Sequence, residues 1–200
     1  MALRRTNGME RESEWPPLDD DHRLALAARS NPDAFGLLYD RYVDRVYGYC
    51  YRRLQTRAGA EDATGHTFLK AFAGLPGYRE DATSFRAWLF AIAHHAVIDT
   101  WRAGRSEMPL DGAGELRTVG PGPEEAVLAS EADRELYELV HQLPADAEHL
   151  IQLRLAGLTD REIATVLGKS HGAVRTAQHR AIQRLKALST ERFSTTGSGR

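Results

Sequence analysis

The sequence predicts an all-α protein made of two small helical domains joined by a flexible linker. Apolar residues recur at three- and four-residue steps over most of the chain, which is the period of an amphipathic helix. No segment shows the sustained alternation of a strand, and a central stretch rich in glycine and proline separates two helical halves. Domains this small have marginal cores, so a partner is expected to add stability.

The composition excludes several classes of protein. With 42% hydrophobic and 27% charged residues, the 200-residue chain is typical of a soluble globular protein. No apolar run is long enough to span a membrane, and the N-terminus lacks the apolar core of a secretory signal. Cys50 is the single cysteine, which excludes an internal disulfide and a multi-cysteine metal site. We therefore expect a cytoplasmic protein in which Cys50 packs in the core.

The first domain is predicted to span residues 21–103, after a flexible polar tail at residues 1–20. Asn31 and Pro32 are typical of a helix cap and first turn. The apolar stripe of the helix that follows consists of Phe35, Leu38, Tyr39, Tyr42, Val43, Val46, Cys50 and Leu54. A second helix is predicted at about residues 61–75 and a third at about residues 84–102. The inward residues predicted for the third helix are Phe85, Trp88, Leu89, Ile92 and Ala96.

A linker is predicted at residues 104–125, because these 22 residues hold five glycines and three prolines. A flexible coil of this length has a root-mean-square span of roughly 25 Å, so two domains joined by it can bind separate places on one long partner. The second domain follows at residues 126–190, with a flexible tail at residues 191–200. Its four predicted helices lie at about 125–142, 145–155, 159–167 and 171–187.

Charge is unevenly distributed along the second domain, although the net charge of the chain is only −2. Residues 131–162 contain eight acidic and three basic side chains. Residues 169–186 contain five basic side chains, two histidines and no acid. Because phosphate contacts are made by one face, such local positive charge is what a nucleic-acid binder requires.

The strongest motif is a helix-turn-helix at residues 158–188. Thr159 and Glu162 predict a capping box, Gly168 permits the turn, and Ser170 can cap the second helix. On that second helix the predicted buried stripe is Val174, Ala177, Ala181, Leu185 and Leu188. The predicted DNA-binding residues are Ser170, Gly172, Arg175, Thr176, His179, Arg180, Gln183, Arg184 and Lys186. An ordinary amphipathic helix with a solvated basic face is the alternative interpretation.

Within that face the predicted roles differ. Arg175 lies in the first turns and is placed to read a guanine edge, while Gly172 and Thr176 allow close approach. Arg180, Arg184 and Lys186 are better placed to hold phosphates.

Both halves together resemble the extracytoplasmic-function (ECF) family of sigma factors over residues 21–190. The segments that carry the resemblance are FGLLYDRYVDRVYGYCYRRL, AEDATGHTFLKAFAGLPGYR, SFRAWLFAIAHHAVIDTWR and QLPADAEHLIQLRLAGLTDREIATVLGKSHGAVRTAQHRA. The resemblance implies that the first domain docks on the clamp of core RNA polymerase and reads the melted minus-ten element of promoter DNA. It implies that the second domain reads the minus-thirty-five element as duplex.

The resemblance also implies roles for single residues. The clamp-binding helix of the family corresponds to the second predicted helix, with Asp62, His66 and Lys70 as candidate contacts. We expect Asp62, Ala63, His66, Lys70 and Ala73 to be exposed and Phe68 and Phe72 to be buried. This chain has Gly65-His66 where the family usually has Gln-Glu, and Asp62 is equally explained as a first-turn carboxylate favoured by the helix dipole.

The reader of the unpaired minus-ten strand corresponds to residues 94–97, where His94-His95 replaces the usual Arg-Asn. Imidazoles both donate hydrogen bonds and stack on bases. The candidate minus-ten residues are Arg86, His94, His95, Val97, Arg102 and Arg105, with Arg79 as further support for the backbone. Trp88 is assigned to the core, and Trp101 is left open between core and stacking surface.

The alternatives are an enzyme and a dimeric helix-turn-helix regulator. A metal enzyme built on His66, His94 and His95 lacks a His-Glu-x-x-His pattern, and no phosphate loop or nucleophile elbow is present. A dimeric regulator explains residues 126–190 but leaves the first domain without a role. We therefore expect a protein that is not an enzyme and that needs no cofactor, metal or small-molecule substrate. An anti-sigma factor, often membrane-bound in the family, is the further implied partner.

Overall fold

The computed structural model describes residues 18–79, 83–106 and 131–196. Within these ranges the chain forms α-helices and one short 3₁₀ turn, Leu75–Gly77, and no strand, which confirms the predicted all-α class. The predicted linker lies outside the described residues except for its first three. The helices are α1 (Leu18–Ala27), α2 (Pro32–Leu54), α3 (Arg57–Gly74), α4 (Phe85–Ser106), α5 (Glu131–His141), α6 (Ala145–Leu155), α7 (Asp160–Leu167) and α8 (His171–Thr196).

Helices α1–α4 form a first lobe, in which α2 is the central element. The Asn31 side chain accepts a hydrogen bond from the Asp33 amide at 3.1 Å, so the predicted cap is present. Gln55 ends the helix in the left-handed conformation with φ of 61°. The next residue, Thr56, caps α3. Helix α2 packs against α1, α3 and α4. In its predicted stripe Leu38, Tyr42, Val46 and Cys50 are buried and Phe35, Val43 and Leu54 are partly buried, but Tyr39 is 43% exposed. Cys50 lies in this stripe, and burial raises the pKa of its thiol to about 11, so it is an inert core residue.

Helix α1 was not predicted, because its acidic run Asp19–Asp21 is typical of an exposed tail. Two of these carboxylates, those of Asp20 and Asp21, bind side chains of α2. Asp21 is buried and accepts hydrogen bonds from Arg41 and Tyr42, and Asp20 pairs with Arg41 at 2.8 Å. These contacts, together with the buried Ala25, hold α1 on α2.

The predicted orientation of α3 is partly wrong. Ala63 is buried, and Phe72 is 45% exposed with its ring 5.0 Å from that of Phe35. The interior face carries mostly small residues, namely Ala60, Ala63, Thr64, Thr67, Phe68 and Ala71. Small side chains let α3 approach α2 and α4 closely, so the large residues Leu69 and Phe72 are turned outward. The prediction was wrong because it assumed that large apolar residues indicate the buried face.

Helices α5–α8 form a second lobe. The capping box of Thr159 and Glu162 is present, and Gly168 adopts the left-handed conformation with φ of 62° that the turn between α7 and α8 requires. Val174, Ala181 and Leu188 are buried, with Ala177 and Leu185 partly buried, as predicted. α8 continues to Thr196, through positions assigned to the tail by the sequence.

The two lobes are in contact, which the sequence did not predict. Helix α4 packs on α7, and α2 packs on α6. The contact region contains polar side chains as well as apolar ones, so it differs in character from the core of each lobe.

Candidate nucleic-acid interface

The outward face of α8 is an exposed surface that starts at the helix N-terminus. Ser170 accepts a hydrogen bond from the Ala173 amide at 3.2 Å, which confirms that it caps the helix. The remaining predicted residues of this face are all exposed, namely Gly172, Arg175, Thr176, His179, Arg180, Gln183, Arg184 and Lys186. The helical period therefore placed this set correctly. Its binding to DNA stays a prediction.

Positive charge on this face is not neutralised within the described part of the chain. Arg175, Arg180, Arg184 and Lys186 make no ion pair there. The ion pairs of the region lie at its two ends, where Lys169 meets Asp146 and Arg192 meets Glu138. The middle of the helix therefore offers basic groups that are available to phosphate.

The second candidate surface, on α4, is covered in part. Arg86 is 4% exposed and forms a two-point ion pair with Glu162 of α7, with Nε to Oε1 at 2.9 Å and Nη2 to Oε2 at 2.7 Å. Val97 is fully buried in the core. The structure corrects the expectation that these two residues are available to DNA, because α7 covers the first and the helix itself turns the second inward.

The remaining α4 residues singled out by the sequence differ in their surroundings. His95 is exposed and its Nδ1 lies 2.7 Å from the Ala91 carbonyl oxygen. Arg102 is also exposed and lies 3.8 Å from Asp99. Arg105 belongs to the last turn of α4, but its side chain is outside the described residues. Trp88 packs against Tyr78 and Phe85 and is a core residue, as assigned.

His94 faces the second lobe and takes part in a cluster of aromatic groups. Its ring centroid lies 4.6 Å from that of His149 on α6, and its Nδ1 is 3.4 Å from the Tyr49 hydroxyl. The same hydroxyl lies 2.9 Å from His149 Nε2. Burial, with smaller contributions from the charges of neighbouring His95 and Arg53, lowers the pKa of His94 to about 4. Burial, then Arg53 and His94, lowers the pKa of His149 to about 3, so both rings are neutral at pH 7.

Glu162 is the residue whose role the sequence analysis missed in part. It completes the capping box, but its carboxylate also accepts hydrogen bonds from Arg86 and, at 2.8 Å, from the Ser84 hydroxyl. Burial alone would raise the pKa of Glu162, but the hydrogen bonds from Arg86, Thr159 and Ser84 hold it below its usual value. No sequence signal points to Arg86, since the two residues lie 76 positions apart.

The candidate clamp surface on α3 is exposed. Asp62, His66 and Lys70 are all accessible, and Lys70 lies 3.8 Å from Asp99 of α4. Leu69, which is 72% exposed, and Phe72 lie on the same outward side, so this surface is more apolar than predicted.

Comparison with known families agrees with this geometry. The family profile of Sigma-70 region 2 matches residues 38–107, and that of Sigma-70 region 4 matches residues 133–185. The ECF RNA polymerase sigma factor SigD of Mycobacterium tuberculosis is 38% identical over 173 residues, a match that covers 83% of this chain and 82% of SigD. This chain belongs to the ECF family of sigma factors.

A second relative and a solved structure extend the comparison. BldN of Streptomyces coelicolor is 37% identical over 166 residues, which cover 81% of this sigma factor but only 62% of BldN. A solved structure of CnrH in complex with the cytosolic domain of CnrY has a TM-score of 0.66 at 26% identity, covering 86% of this chain and 99% of CnrH. The region 2 match contains α3, α4 and most of α2, and the region 4 match contains α6 and α7 and most of α5 and α8 up to residue 185.

Two other kinds of site are absent from the described residues. No group of three or more His, Cys, Asp and Glu side chains is placed there to hold a metal ion. None of the described helices is long and apolar enough to cross a membrane.

Proposed function

We propose that this ECF sigma factor binds core RNA polymerase and directs it to promoters, where it takes part in DNA opening. The observation that carries the proposal is the exposed basic face of α8 up to residue 186, which has no acidic residue and is presented by a capped helix-turn-helix in a chain that matches both sigma regions 2 and 4. Nucleotide addition belongs to the polymerase, so the sigma factor acts as a non-enzymatic subunit in the cytoplasm.

The second domain, residues 126–190, is assigned to the minus-thirty-five element as duplex. A recognition helix in the major groove meets base edges with its first turns and phosphates further along. Arg175 is exposed one turn after the Ser170 cap, where a guanidinium can donate two hydrogen bonds to guanine. Lys186 follows on the same side, Arg180 lies on its flank and Arg184 lies beside the buried stripe; all three are exposed and are assigned to phosphates.

The first domain, residues 21–103, is assigned to the polymerase clamp and to the melted minus-ten element. The exposed α3 surface of Asp62, His66 and Lys70, with Leu69 beside them, supports clamp docking, because it combines charge with accessible apolar area. On α4 the accessible His95 and Arg102 support contacts to an unpaired base and to the backbone.

An anti-sigma factor is proposed as the regulatory partner. The match to CnrH covers 86% of this chain, and CnrH was solved in complex with the cytosolic domain of CnrY. We expect a comparable protein partner for this sigma factor, with a membrane-bound protein as the form to test first.

Run-off transcription with core polymerase tests the proposal. Polymerase supplemented with this protein should initiate at a restricted set of genomic start sites, and core polymerase alone should not. Purified protein should bind the same promoters weakly without polymerase. Tight binding of a dimer to a palindromic site in the absence of polymerase, with no stimulation of transcription, would show that the protein is a regulator of another kind.

A further inference from the structure

The contact between the lobes places a carboxylate on Arg86, one of the candidate minus-ten residues predicted from the sequence. Glu162 of α7 holds Arg86 of α4 through two nearly parallel hydrogen bonds, at 2.9 and 2.7 Å. Both side chains are more than nine-tenths buried. A guanidinium binds carboxylate and phosphate with the same two-point geometry. In this conformation Glu162 therefore occupies the donors with which Arg86 would hold a DNA phosphate.

Elsewhere in the contact, hydrogen bonds between polar groups join the lobes alongside apolar side chains. Tyr49 meets His149 at 2.9 Å, and Gln55 of the first lobe lies 2.9 Å from His141 of the second. Gln152 donates to the Arg52 carbonyl oxygen at 3.5 Å. Such contacts resemble a separable interface between domains rather than a continuous core, and interfaces of this kind permit relative motion.

We propose that the Arg86–Glu162 pair is a latch that holds the two lobes closed and keeps Arg86 from DNA until the lobes separate. The minus-ten part of this inference rests on the proposed function, while the closing of the lobes does not. The inference gives Glu162 two roles, capping α7 and competing with phosphate for Arg86.

A buried ion pair is suited to such a latch. When the lobes part, water solvates both ions, which offsets part of the attraction within the pair and keeps opening reversible. Removal of one partner leaves the other charge buried without compensation in the closed state, which favours opening. We therefore expect substitution of either residue to shift the lobes strongly toward the open form. A partner that binds Arg86 should open them at a small cost in free energy.

The two roles of Glu162 can be separated by matched variants. In Glu162→Gln the side chain can still complete a capping box, because glutamine serves at that position as well as glutamate, but the ion pair is lost. Arg86→Gln breaks the pair from the other lobe and leaves the cap untouched. Thr159→Ala removes the hydroxyl that caps α7 and that donates to Glu162 Oε2 at 2.8 Å, while both hydrogen bonds between Arg86 and Glu162 remain.

Small-angle X-ray scattering on the full-length free protein measures closure directly. We expect the wild type and Thr159→Ala to scatter as closed particles, and Glu162→Gln and Arg86→Gln to have a larger radius of gyration. The ratio of open to closed molecules should rise at least about tenfold in either variant. The double variant should open no further than each single one, because both remove the same interaction. Circular dichroism checks that each variant keeps its helices.

Several results would overturn the latch. A wild-type protein that scatters as an extended particle would mean that the free protein is not closed. Unchanged scattering of folded Glu162→Gln or Arg86→Gln would mean that the pair does not hold it, and equal opening by Thr159→Ala would assign the effect to the cap. Because scattering uses the protein alone, a failure of the transcription assay would refute the proposed function and leave the latch intact.

Discussion

Helices α4 and α8 both carry predicted DNA-binding residues, yet the two sets of residues differ in their exposure. On α8 all nine predicted residues lie on the exposed side or at the cap. On α4 two of the predicted residues, Arg86 and Val97, are buried, and His94 is half-buried against the second lobe. The difference teaches that a surface on one lobe can be covered by the other, so exposure within a single domain does not decide what DNA can reach.

The contrast between the two faces of α8 is tested by a pair of adjacent residues. Val174→Asp should lower the free energy of unfolding of the second lobe by about 3 kcal/mol or more, because it buries an unpaired charge. The neighbouring exposed variant, Arg175→Ala, should change it by less than about 0.5 kcal/mol. Chemical denaturation measures both. Similar losses for the two variants would mean that the assigned faces are wrong.

Arg175→Ala is expected to weaken promoter binding by the polymerase holoenzyme by about 1–3 kcal/mol and to relax preference at one or two base pairs of the upstream element. Arg184→Ala, the matched control further along α8, should weaken binding to all sequences alike and reduce its salt dependence. Binding across single-base promoter variants distinguishes the two. If Arg175→Ala weakens binding to every promoter variant by the same factor, Arg175 is another phosphate contact.

The closed arrangement of the lobes should depend on pH through His94 and His149. Their pKa values of about 4 and about 3 lie below the ordinary value, so the open state binds more protons as pH falls through about 6.5. The closed state is therefore fully favoured above that pH and loses about 1–2 kcal/mol between pH 7.5 and 5.5. The pKa of Glu162 is also lowered, so its contribution is lost only at more acidic pH.

Scattering across that pH range checks the expectation. The groups near the two rings include Tyr49, Arg53, His95, Asp146 and Lys169. Replacing both His94 and His149 by glutamine should flatten the response between pH 7.5 and 5.5. A response that survives in this variant would assign the opening to other groups.

His95→Ala should have the smallest effect on the free protein and a selective effect on promoter opening. His95 is exposed, so its loss should leave stability and core binding nearly unchanged. Opening of promoter DNA, measured by permanganate reactivity of unpaired thymines, should fall several-fold. Unchanged opening at a strong cognate promoter would make His95 an ordinary surface residue.

The sequence was sufficient where one local rule decides the outcome. The cap at Ser170, the capping box at Thr159 and the turn at Gly168 depend on short-range chemistry, and all three are present. The face of α8 follows from helical period, because the lobe packs against one side only. The orientation of α3 was mistaken because close packing by Ala60 and Ala63, rather than large residues, sets its interior.

The burial of Arg86 could not be predicted from the sequence, for a different reason. It depends on a contact between residues 76 positions apart on separate lobes. A basic residue on a helix gives no sign of which acidic residue from another lobe will cover it. Helix α1 was missed for a similar reason, since its acidic residues become internal only through Arg41 and Tyr42 of α2.

The most direct test of the account compares two DNA ligands on the free full-length protein, using a promoter mapped by run-off transcription. Binding of its duplex upstream element and of its single-stranded minus-ten element is measured by fluorescence anisotropy for wild type and Glu162→Gln. The account predicts that the variant binds the single strand several-fold more tightly and the duplex with unchanged affinity, because the basic face of α8 is already accessible and Arg86 of α4 is not. Equal effects on both ligands, or no effect on the single strand, would contradict it.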